Sequence, residues 1–79
     1  MLIRSKDEKR ICNFGVGCAI EILSEEDDND YLICTTYCEN DYDLGYYATE
    51  ERAVKILNEI ADAVHIGKSI YYMPKEDAK

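Results

Sequence analysis

Only one stretch of this chain, Thr49 to Gly67, carries the spacing of a helix, and that restricts the fold more than any other feature. Ala53, Ile56, Leu57, Ile60 and Val64 recur at the i, i+3, i+4, i+7, i+11 spacing of one buried stripe. Thr49 stands where an N-cap hydroxyl is needed, and Glu50 and Glu51 fall in the first turn, where the helix dipole favours acids. Arg52 holds the third helical position, so a full capping box is not formed, and Gly67 supplies the stop. One helix covers one face of a sheet. The other face must meet water or a partner.

The chain before the helix alternates as strands do. Leu2 to Arg4 reads as a short strand, Ser5 to Glu8 as a charged turn, and Arg10 to Phe14 as a second alternating segment. Gly15 and Gly17 bracket Val16 as a turn or bulge, after which Val16, Cys18, Ile20 and Ile22 share a strand face opposite Glu21. The run Glu25-Glu26-Asp27-Asp28-Asn29-Asp30 has turn chemistry and reads as a hairpin tip. From Tyr31 to Cys38, a segment rich in β-formers, Leu32, Cys34, Thr36 and Cys38 fall on one face and Tyr31, Ile33, Thr35 and Tyr37 on the other. Glu39 to Asp41 is a second turn, Leu44 to Ala48 a further strand, and Ser69 to Met73 a last short strand halted by Pro74. The expected fold is α+β: an antiparallel meander of about four to five short strands, one amphipathic helix on one face, and a short C-terminal strand. Residues 1–74 form a single domain and 75–79 a flexible tail. The face expected to stay open carries Tyr31, Ile33 and Tyr37, a half-apolar surface that implies a homo-oligomer.

The net charge of −8 is unevenly distributed. Arg4, Lys6, Lys9 and Arg10 against Asp7 and Glu8 leave residues 1–10 at +2, whereas residues 21–43 hold nine acids and no lysine or arginine. An acidic segment of that density repels phosphate, so direct nucleic-acid binding through it is not expected. The N-terminal MLIRSKDEKR has no apolar run of signal-peptide length, and no stretch approaches the roughly 20 apolar residues of a membrane span. The expected location is therefore cytoplasmic, with thiols reduced. Cys12, Cys18, Cys34 and Cys38 follow C-x5-C-x15-C-x3-C. On one strand, Cys34 and Cys38 would stand about 13 Å apart, too far for one metal. Buried thiols explain them better than a metal site, and no cofactor is expected.

Other motifs point away from catalysis. His65, the only histidine, sits near the helix end, where the dipole favours a cation, and no nucleophile partner is suggested. The Asp27-Asp28-Asn29-Asp30 run lacks the glycine and terminal glutamate of a calcium loop, and Gly15-Val16-Gly17 is too short for a phosphate loop. No catalytic residue is assigned. Two binding surfaces remain. Glu25, Glu26, Asp28, Asp30, Tyr31 and Tyr37 would form an acidic, tyrosine-bearing surface for a protein. Arg4, Lys6, Lys9 and Arg10 would cradle an anion.

Ile3-Arg4-Ser5-Lys6-Asp7, Leu44-Gly45-Tyr46-Tyr47 before Thr49-Glu50-Glu51-Arg52-Ala53, Ile56-Leu57-Asn58-Glu59-Ile60 and Tyr72-Met73-Pro74 resemble a family of small bacteriophage and prophage proteins of Firmicute-type bacteria. The segment Cys12 to Asp43 departs from that pattern, and the family brings no catalytic residues. The resemblance implies a protein that acts by binding in the host cytoplasm. The leading expectation is an inhibitor of a host anti-phage defence protein, bound through the acidic surface. The alternative is an oligomeric sponge holding a signalling nucleotide at a subunit junction, and a nucleotide-acting enzyme ranks third.

Overall fold

The computed structural model describes residues 1–15, 18–25, 30–37 and 40–75, the side chains of Glu25 and Tyr37 excepted. The elements are β1 (Leu2–Arg4), β2 (Ile11–Asn13), β3 (Cys18–Glu25), β4 (Asp30–Tyr37), β5 (Asn40–Tyr47), α1 (Glu50–His65) and β6 (Ile70–Tyr72). The strands form two three-stranded sheets, ordered β2-β1-β6 and β3-β4-β5. The fold is α+β, and β3-β4-β5 is the antiparallel meander that the alternation implied. The tip residues 26–29, Cys38, Glu39 and residues 76–79 of the expected tail lie outside the described residues.

The first sheet is the departure from a single meander. β1 pairs antiparallel with β2 and parallel with β6, so the two ends of the chain meet: Leu2 aligns with Ile70 and Arg4 with Tyr72. Leu2 N–H donates to the Ser69 carbonyl at 2.9 Å and Met73 N–H to the Arg4 carbonyl at 3.0 Å. A three-residue segment carries too little pattern to reveal a partner some seventy positions away. The β1–β2 turn is held by side chains. Ser5 Oγ donates to Asp7 Oδ1 at 2.6 Å and accepts from Arg10 N–H at 3.2 Å, while Lys9 N–H donates to the same Asp7 oxygen at 2.9 Å. The Ser5 hydrogen bond, followed by that from Lys9, holds the Asp7 carboxyl below its ordinary pKa.

The helix packs on the opposite face of β4 from the one expected. Ile33 is fully buried in a core with Ile3, Leu44, Tyr47, Ala53, Ile56, Ile60 and Met73, and Tyr31 packs against it. The face proposed to stay open is therefore the covered one, and the Leu32–Cys34–Thr36 face is turned outward. Both faces of β4 alternate β-formers with small residues, so hydrophobicity along that strand does not decide between them. The neighbours decide it. Ile20 and Ile22 of β3 align with Thr35 and Ile33, whereas Glu21 aligns with Cys34.

A bulge in β5 supports the same choice. Ile33 aligns with Gly45 and Cys34 with Asp43, leaving Leu44 as the extra residue. The bulge turns Leu44 into the core together with Tyr47, both 1% exposed. The Leu44 carbonyl accepts from Lys6 N–H at 2.7 Å. At Gly45, a Cβ would stand 2.8 Å from Lys6 Cβ and 3.2 Å from Tyr47 Cε2, so the close approach of the Ser5–Lys9 loop requires glycine.

The helix ends match the sequence expectation. Thr49 Oγ1 accepts from Arg52 N–H at 3.1 Å. At the other end Gly67 adopts φ +80°, with Gly67 N–H bonded to the Val64 carbonyl and Lys68 N–H to the Ala63 carbonyl, a Schellman stop. The buried stripe is rotated slightly from the expected one. Ala53, Ile56, Ile60 and Ala63 are buried, Leu57 is half-buried, and Val64 is 46% exposed. The small Ala63 lies where the last turn approaches the sheets, and the larger Val64 turns out to water. Glu59, which lies off the stripe, is engaged: its Oε1 accepts from Tyr71 Oη at 2.8 Å.

Candidate functional site

The β3-β4-β5 sheet separates charge between its faces. On the outer face, cross-strand alignment places Leu23, Leu32 and Tyr46 in one row, Glu21, Cys34 and Asp43 in the next, and Ala19, Thr36 and Asp41 in the third. Leu23 and Tyr46 are 41% and 43% exposed, and Glu21, Asp41 and Asp43 are exposed. Leu32 and Cys34, on the central strand, are buried between these longer neighbours. None of these positions carries a lysine or arginine. Thr36 Oγ1 donates to Asp41 Oδ1 at 2.7 Å, which orients one carboxylate. The Cys34 thiol registers the local field: burial raises its pKa first, and Asp41, Glu21 and Asp43 raise it further.

The acidic residues singled out from the sequence are arranged differently. Glu26 and Asp28 lie outside the described residues. Glu25 and Asp30 are aligned with one another at the far end of the β3–β4 pair. Tyr31 is half-buried against the core. Tyr37 is at the opposite end of β4, about 20 Å from Tyr31 at strand rise. Tyr37 therefore lies at the opposite end of the strand from Tyr31, Asp30 and Glu25. The outer-face acids Glu21, Asp41 and Asp43 were hidden in the sequence by the turn and strand readings around them. Parity with Cys34 was the signal that would have grouped them.

The four basic candidates also separate. Lys6 braces the fold: its Nζ donates to the Tyr46 carbonyl at 2.6 Å and sits 4.3 Å from the Tyr47 ring centroid. Arg4 Nη2 donates to the Glu8 carbonyl at 3.3 Å, and Lys9 is exposed in the turn. Glu8 pairs with Lys75, whose hydrogen bond and charge lower the Glu8 pKa. Lys6 also lines a hollow with Asp7, Asp43, Tyr46 and Lys75, whereas Arg10 enters a different cleft, of about 500 Å³, between β2 and the inner face of the sheet. Its guanidinium lies 5.4 Å from the Tyr42 ring centroid, and Asn13, Cys18 and Thr35 complete the walls. Cys18 Sγ donates to the Asn13 carbonyl at 3.5 Å, and Thr35 Oγ1 donates to the Ala19 carbonyl at 3.0 Å.

Among the described residues, no group of three or more His, Cys, Asp or Glu side chains is placed to hold a metal. No helix there is long and apolar enough to cross a membrane. His65 is exposed in the last turn of α1. Comparison with known proteins returned no matching family model, no matching curated protein and no matching solved structure.

Proposed function

We propose that this protein acts by binding, with the outer face of β3-β4-β5 docking onto a basic, nucleic-acid-binding groove of a partner protein. The observation that supports this reading is the row Leu23–Leu32–Tyr46, exposed at Leu23 and Tyr46, lying beside the carboxylates of Glu21 and Asp43, with Asp41 one row beyond. The apolar row offers area to bury, and the acids select a cationic surface and speed encounter. Asp41 and Asp43 stand two residues apart on β5, Glu21 lies across Cys34 from Asp43, and Lys6 and Lys75 line a hollow with Asp43 at the sheet edge. A lysine- or arginine-lined groove offers these carboxylates further opposite charge on binding. The resemblance to small phage proteins makes a host defence protein the partner class to test first, and inhibition by occlusion the expected effect.

The test is displacement of labelled duplex DNA from a basic DNA-binding protein, followed by fluorescence anisotropy. Wild-type protein should release the DNA, and release should weaken as salt rises. Glu21→Lys with Asp43→Lys should abolish it, while Glu50→Lys with Asp62→Lys, the same charge change on the helix, should leave most of it. Equal loss in both double variants would mean that net charge alone acts, and the docking face would be abandoned. A dimer in sedimentation that Leu23→Lys dissolves would instead make a second copy of this chain the occupant.

A further inference from the structure

We infer that the cleft between β2 and the inner face of the β3-β4-β5 sheet is a second binding site, for a small organic anion that carries a planar ring. It is separate from the acidic face and does not depend on it. Its volume of about 500 Å³ lies within the range of small-molecule pockets and suits one mononucleotide-sized molecule.

The charge of the lining sets the sign of the ligand. Among the described residues that form the cleft, Arg10 is the only ionised side chain, in a protein whose net charge is −8. Glu21, Asp41 and Asp43 project from the other face of the sheet. Among the described residues Arg10 has no ion pair, and the ring of Tyr42 beneath its guanidinium restricts it. A guanidinium held in this way presents paired N–H donors to a carboxylate or phosphate with less loss of freedom on binding. Burial raises the pKa of the Cys12 thiol, which keeps it neutral beside the arginine near neutral pH.

The remaining walls favour a ring. Ile11 is 57% exposed and Tyr42 36% exposed, and both line the cleft. Both offer flat or apolar surface to a planar group, and the plane of an arginine can itself be stacked upon. The Asn13 amide and the Thr35 hydroxyl, which still has acceptor capacity after bonding to Ala19, can recognise polar ring edges. An anion without a ring would meet only one cation in a half-apolar slot. A ring without an anion would leave Arg10 unused. The two together match the lining.

The cysteines provide the readout. Cys12 and Cys18 are half-buried at the cleft, while Cys34 faces outward and is 2% exposed. The experiment measures iodoacetamide labelling of each thiol by mass spectrometry, with thermal melting in parallel, against four probes. These are adenosine monophosphate, 4-hydroxybenzoate, adenosine and inorganic phosphate. The expected result is that at least one of the first two slows labelling of Cys18 and raises the melting temperature, while adenosine and phosphate do neither. Which of the first two acts distinguishes a nucleotide from an aromatic acid. Arg10→Gln should weaken the active probe by about 10- to 100-fold, the value of a charge-assisted hydrogen bond, and Arg10→Lys should recover part of it. Phosphate alone protecting as well as the ring-bearing probes would overturn the assignment. So would the absence of protection by all four at millimolar concentration, or full binding by a folded Arg10→Gln protein.

Discussion

The phase of α1 can be tested by two substitutions at positions that the sequence stripe treats alike and the structure separates. Ile60 is 2% exposed and belongs to the core, while Val64 is 46% exposed. Ile60→Val removes one buried methylene-sized group and should cost about 0.5–1.5 kcal/mol. A chain of 79 residues has a total stability of about 4–12 kcal/mol, so the variant stays folded and measurable. At about 4–8 °C per kcal/mol for a domain of this size, its melting temperature should fall by several degrees. Val64→Ala removes two methyl groups that are only half-buried, a loss of about 0.8 kcal/mol at the usual value per group. Alanine returns about 0.5 kcal/mol through its higher helix propensity, so the net change should be within a few tenths of a kcal/mol. Urea titration followed by far-ultraviolet circular dichroism gives both numbers. If Val64→Ala costs about 1 kcal/mol or more while Ile60→Val costs nothing, the helix is rotated from the position described.

Three further outcomes follow from single contacts. Gly45→Ala should destabilise the fold by about 1–3 kcal/mol, because its Cβ would meet Lys6 Cβ at 2.8 Å, and chemical denaturation of the double variant with Lys6→Gly should recover part of that loss. Tyr71 is held neutral by burial and then by its hydrogen bond to Glu59, so its pKa is raised. Its contribution is complete below the ordinary tyrosine pKa of about 10 and is lost as pH rises beyond it; Tyr71→Phe should cost about 1 kcal/mol at neutral pH and flatten the alkaline part of the stability curve. In folded protein Cys34 should react with iodoacetamide far more slowly than Cys12 and Cys18, because it is buried and its pKa is raised, and equal rates would place it elsewhere.

Residues with a local physical signature were legible from the sequence. Thr49 and Gly67 mark the helix ends through a cap hydroxyl and a left-handed backbone, each effective within one turn. The strands β3 to β5 were legible for the same reason, because alternation is local. Pairing between chain ends was not, since Leu2–Arg4 and Ile70–Tyr72 carry no mark of one another. The orientation of β4 is not legible along the strand itself, because Tyr31 and Ile33 form as apolar a face as Leu32 and Cys34. The Leu44 bulge and the half-buried Ile20 and Ile22 of β3, packed against the core, resolve it. With β4 in this orientation Tyr31 packs against the core, and Glu21, Asp41 and Asp43 share the outer face. Arg10 is one of the four basic candidates, but its cleft, which has no acid among its described lining residues whereas the hollow at Lys6 holds Asp7 and Asp43, forms only when β2 faces Thr35 and Tyr42.

The central claim, that the outer sheet face meets a basic partner, is tested most directly by methyl nuclear magnetic resonance of the leucines and isoleucines. Leu23 and Leu32 report the outer face, Ile20, Ile22 and Ile33 the inner face, Ile56 and Ile60 the helix, and Ile11 the cleft. Titration with a basic DNA-binding protein should shift or broaden the Leu23 and Leu32 signals first, leave Ile33, Ile56 and Ile60 nearly unmoved, and lose its effect in Glu21→Lys with Asp43→Lys. Perturbation centred on Ile56, Ile60 or Ile11, with Leu23 and Leu32 unchanged, would contradict the account.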